Sequence, residues 1–309
     1  MAFKTIRIGT RDSILATWQA EHVAAGLQKN GYKTELVFIK TEGDQVLDTP
    51  LPMLGGKGVF TKALDDALLN DEVDIAVHSF KDIPTSTPDG LEVIAVLERE
   101  DPRDVIVART SPDFMDDENY EAVIATSSHR RGGQWLNKFP KHKLTDIRGN
   151  VHTRLRKLNE NGWDGAIFAA AGLKRVGFEA NISRYLEWMI SAPAQGAVAV
   201  MGRADKPSIH RALSQLHHSE TALCTRIERR FLQVLEGGCS APLGAFAEVM
   251  NDTIVFKGVL TSLKGDQREE ISLNIPIEHS ASMGDRAAES LMARDTVMAI
   301  LTEIRRELR

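Results

Sequence analysis

Ile6-Arg7-Ile8-Gly9-Thr10-Arg11-Asp12-Ser13-Ile14-Leu15 is the stretch that decides how this chain is read. Ile6 and Ile8 alternate with other residues as a strand does. A short turn then gives way to an amphipathic segment carrying Leu15, Trp18, Val23 and Leu27. Asp12 or Ser13 supplies the N-cap, because either side chain can accept from the orphan amides of a helix's first turn. The pattern is strand, turn, helix. Arg11 falls in the loop at the strand's C-terminal edge, where open α/β sheets take their ligands. A solvated loop cation is an equally good reading of it from these residues alone.

The same unit recurs down the chain. Residues 35–40 read as a second strand. The glycine cluster Gly55-Gly56-Lys57-Gly58 opens a helix over 59–70 with Leu64, Leu68 and Leu69 on its apolar side. Its spacing is not that of a Walker loop. Residues 74–79 form a short buried strand that delivers Phe80-Lys81-Asp82-Ile83-Pro84 to its end. Strands at 91–97 and 105–108 flank a charged, proline-bearing run at 98–104, read as a crossing between domains. A second βα series begins at 122, and its strand ends in Thr126-Ser127-Ser128-His129-Arg130-Arg131. Further strands at 144–147 and 166–170 lead to Arg148-Gly149-Asn150 and Gly172-Leu173-Lys174-Arg175. Residues 191–196 read as a hinge, and 197–200 as a strand returning to the first sheet. The fold class is therefore α/β.

Between His129 and Lys157 stand nine lysines and arginines against one acid, Asp146. Lys138, Lys141 and Lys143 read as a solvated face. Arg130, Arg131, Arg148, Arg154 and Arg175 recur at or just after strand ends, where their forked donors suit carboxylates or phosphates. Two α/β units with cationic strand ends would form a cleft for a modest polyanion. Few aromatics accompany these arginines, and the whole 309-residue chain carries a net charge of −5. Both facts count against a nucleic-acid partner.

Only two cysteines occur, too few for a disulfide framework or a four-ligand zinc site, so no metal is expected. The usage suits a reducing cytosol. No apolar run is long enough to span a membrane and no apolar signal core opens the chain, so the expected location is the cytoplasm. Cys224 lies beside the Leu223, Ile227, Phe231 and Val234 stripe of a helix over 219–236 and reads as core. Cys239 differs: Leu235-Glu236-Gly237-Gly238-Cys239-Ser240-Ala241-Pro242 is a bent, accessible turn that presents one thiol. It reads as a covalent attachment point. Strands at 243–249, 253–261 and 270–275 follow, then one helix over 282–308 using Leu291, Met298, Leu301 and Ile304.

Taken in order, these motifs resemble the porphobilinogen deaminase (hydroxymethylbilane synthase) family over essentially the whole chain. The matching stretches are Gly9 to Ser13 with Trp18-Gln19, Gly55 to Phe60, His78 to Pro84, Glu98 to Asp104, and Thr126 to Arg131. Arg148 to Val151 with Thr153-Arg154-Leu155, Gly172 to Arg175, and Glu236 to Cys239 complete the set. The resemblance implies three domains: two α/β domains similar to periplasmic binding proteins, 1–98 with 195–216 and 99–194, joined by hinge crossings, and a small α+β domain, 217–309. It implies a dipyrromethane cofactor joined to Cys239 through a thioether, and four porphobilinogens linked head to tail into hydroxymethylbilane with loss of ammonia. By similarity Asp82 is catalytic; Lys81, Ser127, Ser128, Arg130, Arg131 and Arg154 hold the cofactor; Arg11, Ser13, Arg148, Arg175 and Gln195 serve the incoming ring. The resemblance favours a monomer.

Three positions depart from the family pattern. His129, followed by Gly132-Gly133, stands where leucine is usual. Ala194-Gln195-Gly196 replaces Gly-Gln-Gly, and Met201 replaces a frequent glutamate. The rival reading, a non-enzymatic two-lobed binder of organic anions, leaves the Cys239 turn without a purpose.

Overall fold

A computed structural model describes residues 5–41, 61–235 and 241–307. The glycine cluster at 55–58 and the Cys239 turn lie outside the described residues. The strands are β1 Ile6–Thr10, β2 Thr34–Phe38, β3 Ile75–Ser79, β4 Leu91–Val96, β5 Asp104–Ala108, β6 Val123–Ala125, β7 Lys143–Thr145, β8 Gly165–Ala169, β9 Arg184–Tyr185, β10 Val198–Arg203, β11 Leu243–Met250, β12 Thr253–Thr261 and β13 Arg268–Pro276. The described helices are α1 Ile14–Lys29, α2 Lys62–Leu69, α3 His129–Lys138, α4 Val151–Glu160, α5 Ala170–Arg175, α6 Pro207–Leu213, α7 Ser219–Val234, α8 Met283–Met292 and α9 Asp295–Glu307.

The chain divides into two compact units, Met1–Glu100 with Gly196–Leu223, and Asp101–Gln195 with Cys224–Arg309. The first holds a five-stranded sheet in the order β2-β1-β3-β10-β4, the second another in the order β7-β6-β8-β5-β9. In each, three strands run parallel (β1 with β2 and β3; β6 with β7 and β8), and one antiparallel strand, β10 or β5, is laid beside them. One topology is thus built twice from sequences that show no internal repeat. The second unit also carries a three-stranded antiparallel sheet, β11-β12-β13.

Both five-stranded sheets owe their existence to apolar strands buried on two faces. In the first unit Ile8, Ile75 and Val77 pack against Ala20, Val23 and Leu27 of α1. In the second, Val105, Val107 and Phe168 face one core, while Ile106, Ile124 and Ile167 face another that contains Trp135. Alternation along β5 thus feeds both cores, as the two-residue period of a strand requires. Helix α3 lies on the third sheet with no room to spare. A Cβ added at Gly133 would fall 2.1 Å from Thr261 Oγ1 and 2.7 Å from Ser262 O. Close approach of backbone therefore explains the unusual Gly133.

Two expectations are corrected. The last helix is two, α8 and α9, because the chain turns at Ala293 and Arg294, where Arg294 N–H donates to Leu291 O at 3.2 Å. That turn slips the helical phase by one residue, so Val297 is fully buried and Met298 is 45% exposed. In α2, Leu64 and Leu68 are buried as expected, but Leu69 is exposed and Asp65 takes an inward position instead. Burial, with the nearby charge of Asp66, pushes the Asp65 carboxyl up to about 6.

Candidate active site

In the first unit the ends of β1 and β3 meet around one hollow. The Thr10 hydroxyl donates to Ala16 O at 3.1 Å and Ser13 Oγ accepts from Ala16 N–H at 3.3 Å, which makes Ser13 the N-cap of α1. The two bonds hold the Arg11 loop against its helix. β3 delivers His78 and Ser79, then tightens into a 3-10 turn over Phe80–Asp82. Phe80 and Ile83 are buried on either side of that turn, and Phe80 N–H donates to Ala197 O at 3.0 Å. With its neighbours anchored, Asp82 stands exposed and Lys81 half-buried. Arg11, Ser13, Gln19, His78, Ser79 and Asp82 line the hollow, a cavity of about 70 Å³ that opens to solvent. Gln19 Nε2 donates to Ser79 Oγ at 2.8 Å, fixing the hydroxyl.

In the second unit the arginine pair is turned inward. Arg130 Nη1 lies 2.6 Å from Asp104 Oδ2 and Arg131 Nε 2.9 Å from Oδ1, while Gln195 Nε2 donates to the same Oδ1 at 3.1 Å. Arg130 and Arg131 also donate to the carbonyls of Ile190 and Ile167. Asp104 is wholly buried. Burial alone would raise its carboxyl, but the charges of Arg130 and Arg131, with hydrogen bonds from Arg130 and Gln195, hold it well below the usual carboxylate range. Beside it, Asp101 is also pushed up by burial, and hydrogen bonds from Arg103 and Lys174 bring it down to about 2.

The remaining residues fall around these anchors. Ser127 Oγ bridges to Ile147 O and Ile147 N–H, at 3.0 and 2.9 Å, and so joins the ends of β6 and β7. Ser128 caps α3 by accepting from Arg131 N–H at 3.4 Å. Arg148 is half-buried in the loop before α4. Arg154, on α4, donates from Nε to Gly149 O at 2.7 Å. Arg175 closes α5. The structure thus groups Arg11, Ser13 and Asp82 in one unit, and Arg130, Arg131 and Gln195 around Asp104 in the other.

Asp104 was not singled out in the sequence, nor was Glu228. The signal for Asp104 was a lone acid heading the apolar run Val105-Ile106-Val107. Glu228 falls four residues after Cys224 and three before Phe231, so the helical period already placed it inward. Fully buried, its carboxylate accepts from Ala194 N–H at 2.6 Å and Ala247 N–H at 2.7 Å. Ala194 itself has φ +61, the left-handed region that favours the glycine usual here. Ala194→Gly is therefore expected to fold with a stability within about 1 kcal/mol of the parent. Ala194→Val, a β-branched side chain in the same strained and buried place, should lose at least about 2 kcal/mol. Urea denaturation of the two variants checks this, and equal midpoints would contradict it.

The α/β frame built twice thus carries strand-end cations in both units and a carboxylate on a small hollow in the first. Residues 6–211 match the family described as porphobilinogen deaminase, dipyromethane cofactor binding domain, and 222–293 match its C-terminal domain. Porphobilinogen deaminases of Geobacter metallireducens and Desulfitobacterium hafniense are 42% and 43% identical to it over 308 residues. These alignments cover 98% of this chain and 96% and 99% of theirs. The chain belongs to the porphobilinogen deaminase family. Among solved structures, the periplasmic VFT2 domain of Bordetella pertussis BvgS aligns with 71% of this chain and 90% of its own at 15% identity and a TM-score of 0.41.

Proposed function

We propose that this chain joins four porphobilinogen molecules head to tail into hydroxymethylbilane on a dipyrromethane primer bound to Cys239. The observation that carries the reading is the placement of Asp82 on one small hollow with Arg11 and Ser13, in a chain whose family is defined by that cofactor. The donor set fits such a group. Each pyrrole bears acetate and propionate arms, and the second unit offers Arg130 and Arg131 just after β6, Arg148 after β7 and Arg175 at the end of α5. Lys81, Ser127, Ser128, Arg130, Arg131 and Arg154 would hold the cofactor, with Asp104 fixing the planes of the arginine pair. When bound, the cofactor supplies the pyrrole α-carbon to which the first substrate is joined.

The residues' own work follows from their chemistry. Arg11, Ser13, Arg148, Arg175 and Gln195 serve the incoming ring, holding its carboxylates or the groups that do so. Each joining breaks the aminomethyl C–N bond of porphobilinogen, releases ammonia, forms one C–C bond and removes the α-proton of the accepting ring. Loss of ammonia leaves a methylene-pyrrolenine cation. The Asp82 carboxylate accepts from the pyrrole N–H, stabilises that positive charge and assists the proton's departure. Hydrolysis then frees the tetrapyrrole. The same reading includes a monomer working in the cytoplasm without nucleic acid, and domain limits of 1–98 with 195–216, 99–194 and 217–309.

Intact-mass measurement tests the anchor. The purified chain should carry the added mass of two linked pyrroles, and Cys239→Ser should lose both that mass and turnover. An active protein without the adduct, or a Cys239→Ser protein that keeps it, would overturn the assignment.

A further inference from the structure

The hollow of the first unit contains a side chain that the chemistry above leaves unused. His78 is 6% exposed at the end of β3 and lines the hollow with Arg11, Ser13 and Asp82. Its Nε2 is sealed from solvent and has no hydrogen-bond partner among the described residues. A buried polar atom left unpaired costs stability, and folded proteins retain few of them. The strand needs no polar group here, since its other buried positions, Ile75, Ala76 and Val77, are apolar. Burial, and then the neighbouring charge of Arg11, bring the ring down to about 4. The imidazole is therefore neutral at physiological pH and carries one N–H and one lone pair.

We propose that His78 is a recognition residue of this hollow, its ring N–H donating to a carboxylate arm of porphobilinogen that Arg11 also holds. A cation and a neutral donor side by side match the two oxygens of one carboxylate. A second cation would instead repel Arg11 in the empty site. The inference rests on the function proposed above.

His78→Leu should raise KM for porphobilinogen about tenfold with kcat within about threefold, the signature of lost uniform binding. Because the leucine removes an unpaired buried atom, its thermal midpoint should equal or exceed that of the parent. His78→Gln, which restores a neutral donor, should return KM to within about threefold of the parent. An unchanged KM in His78→Leu overturns the inference. So does a KM rise that comes with a lowered midpoint and is not rescued by glutamine, because that pattern marks a structural role. Calorimetric titration of porphobilinogen into Asp82→Ala protein, with and without His78→Leu, reads binding apart from turnover. Weakened binding in the double variant beside a parent that never consumes porphobilinogen would sink the proposed function and leave this inference standing; unchanged binding would sink this inference alone.

Discussion

Asp82→Ala protein should emerge folded and carrying its two-pyrrole adduct, yet turn porphobilinogen over about 10²–10⁴-fold more slowly than the parent. The folded half of that expectation comes from exposure. Asp82 stands at the rim of its 3-10 turn and makes no hydrogen bond among the described residues, while Phe80 and Ile83 hold the turn from below. Truncating such a side chain typically changes stability by less than about 0.5 kcal/mol. The catalytic half comes from charge. Departure of ammonia makes a cation in a hollow that already holds Arg11, and Asp82 is the one carboxylate among its described lining residues. Asp82→Asn keeps the shape and loses the charge, so it should be nearly as slow as alanine. Intact mass and a porphobilinogen consumption assay check both variants, and near-normal turnover in either would refute the role.

The second large effect belongs to Asp104. Asp104→Asn leaves the Arg130 and Arg131 guanidiniums buried against an amide, and removing one partner of a buried ion cluster costs about 3–5 kcal/mol. It should also lower the fraction of protein that acquires the adduct, because the arginine pair loses the group that orients it. Urea denaturation and intact mass read the two consequences. A variant within about 1 kcal/mol of the parent would show that the cluster contributes far less than its geometry implies. The parent's own acid sensitivity follows from the same groups. Asp104 and Asp101 are both held below the ordinary value of 3.8, Asp101 at about 2. Carboxyls depressed in the folded state contribute stability that is complete above the unfolded pKa and is lost as pH falls through the folded one. Midpoints should therefore not fall on this account above about pH 5, and should drop between about pH 4 and pH 2.

Much of this was legible in the residues, for identifiable reasons. Strand β3 and its Lys81-Asp82 end were readable because an apolar run stopped at a charged pair, and the Arg11 loop because a strand pattern gave way to a helical one. What resisted was the partner of the arginine pair. Strand-end arginines advertise an appetite for carboxylates, but nothing local says whether the carboxylate is a ligand's or the protein's own. Asp104 lies 26 residues from Arg130, and only the pairing of β5 with β8 brings that acid under α3. Gln195 was similarly read for its neighbours in the family motif, and its amide is spent on Asp104 and Pro102 O. The final helix failed for a different reason. A period of 3.6 tolerates a one-residue slip, so Met298 and Val297 could not be told apart by spacing alone.

The strand order of the first sheet carries a consequence for how this chain is made. β10 lies between β3 and β4, although about a hundred residues of sequence separate it from β4. A nascent chain that has emerged only as far as β4 therefore has two strand edges with nothing between them, and each is a template for wrong pairing. Completion of the first unit waits on synthesis of everything from β5 to β9. The ribosome delivers this protein out of folding order, and the half that begins first cannot finish first.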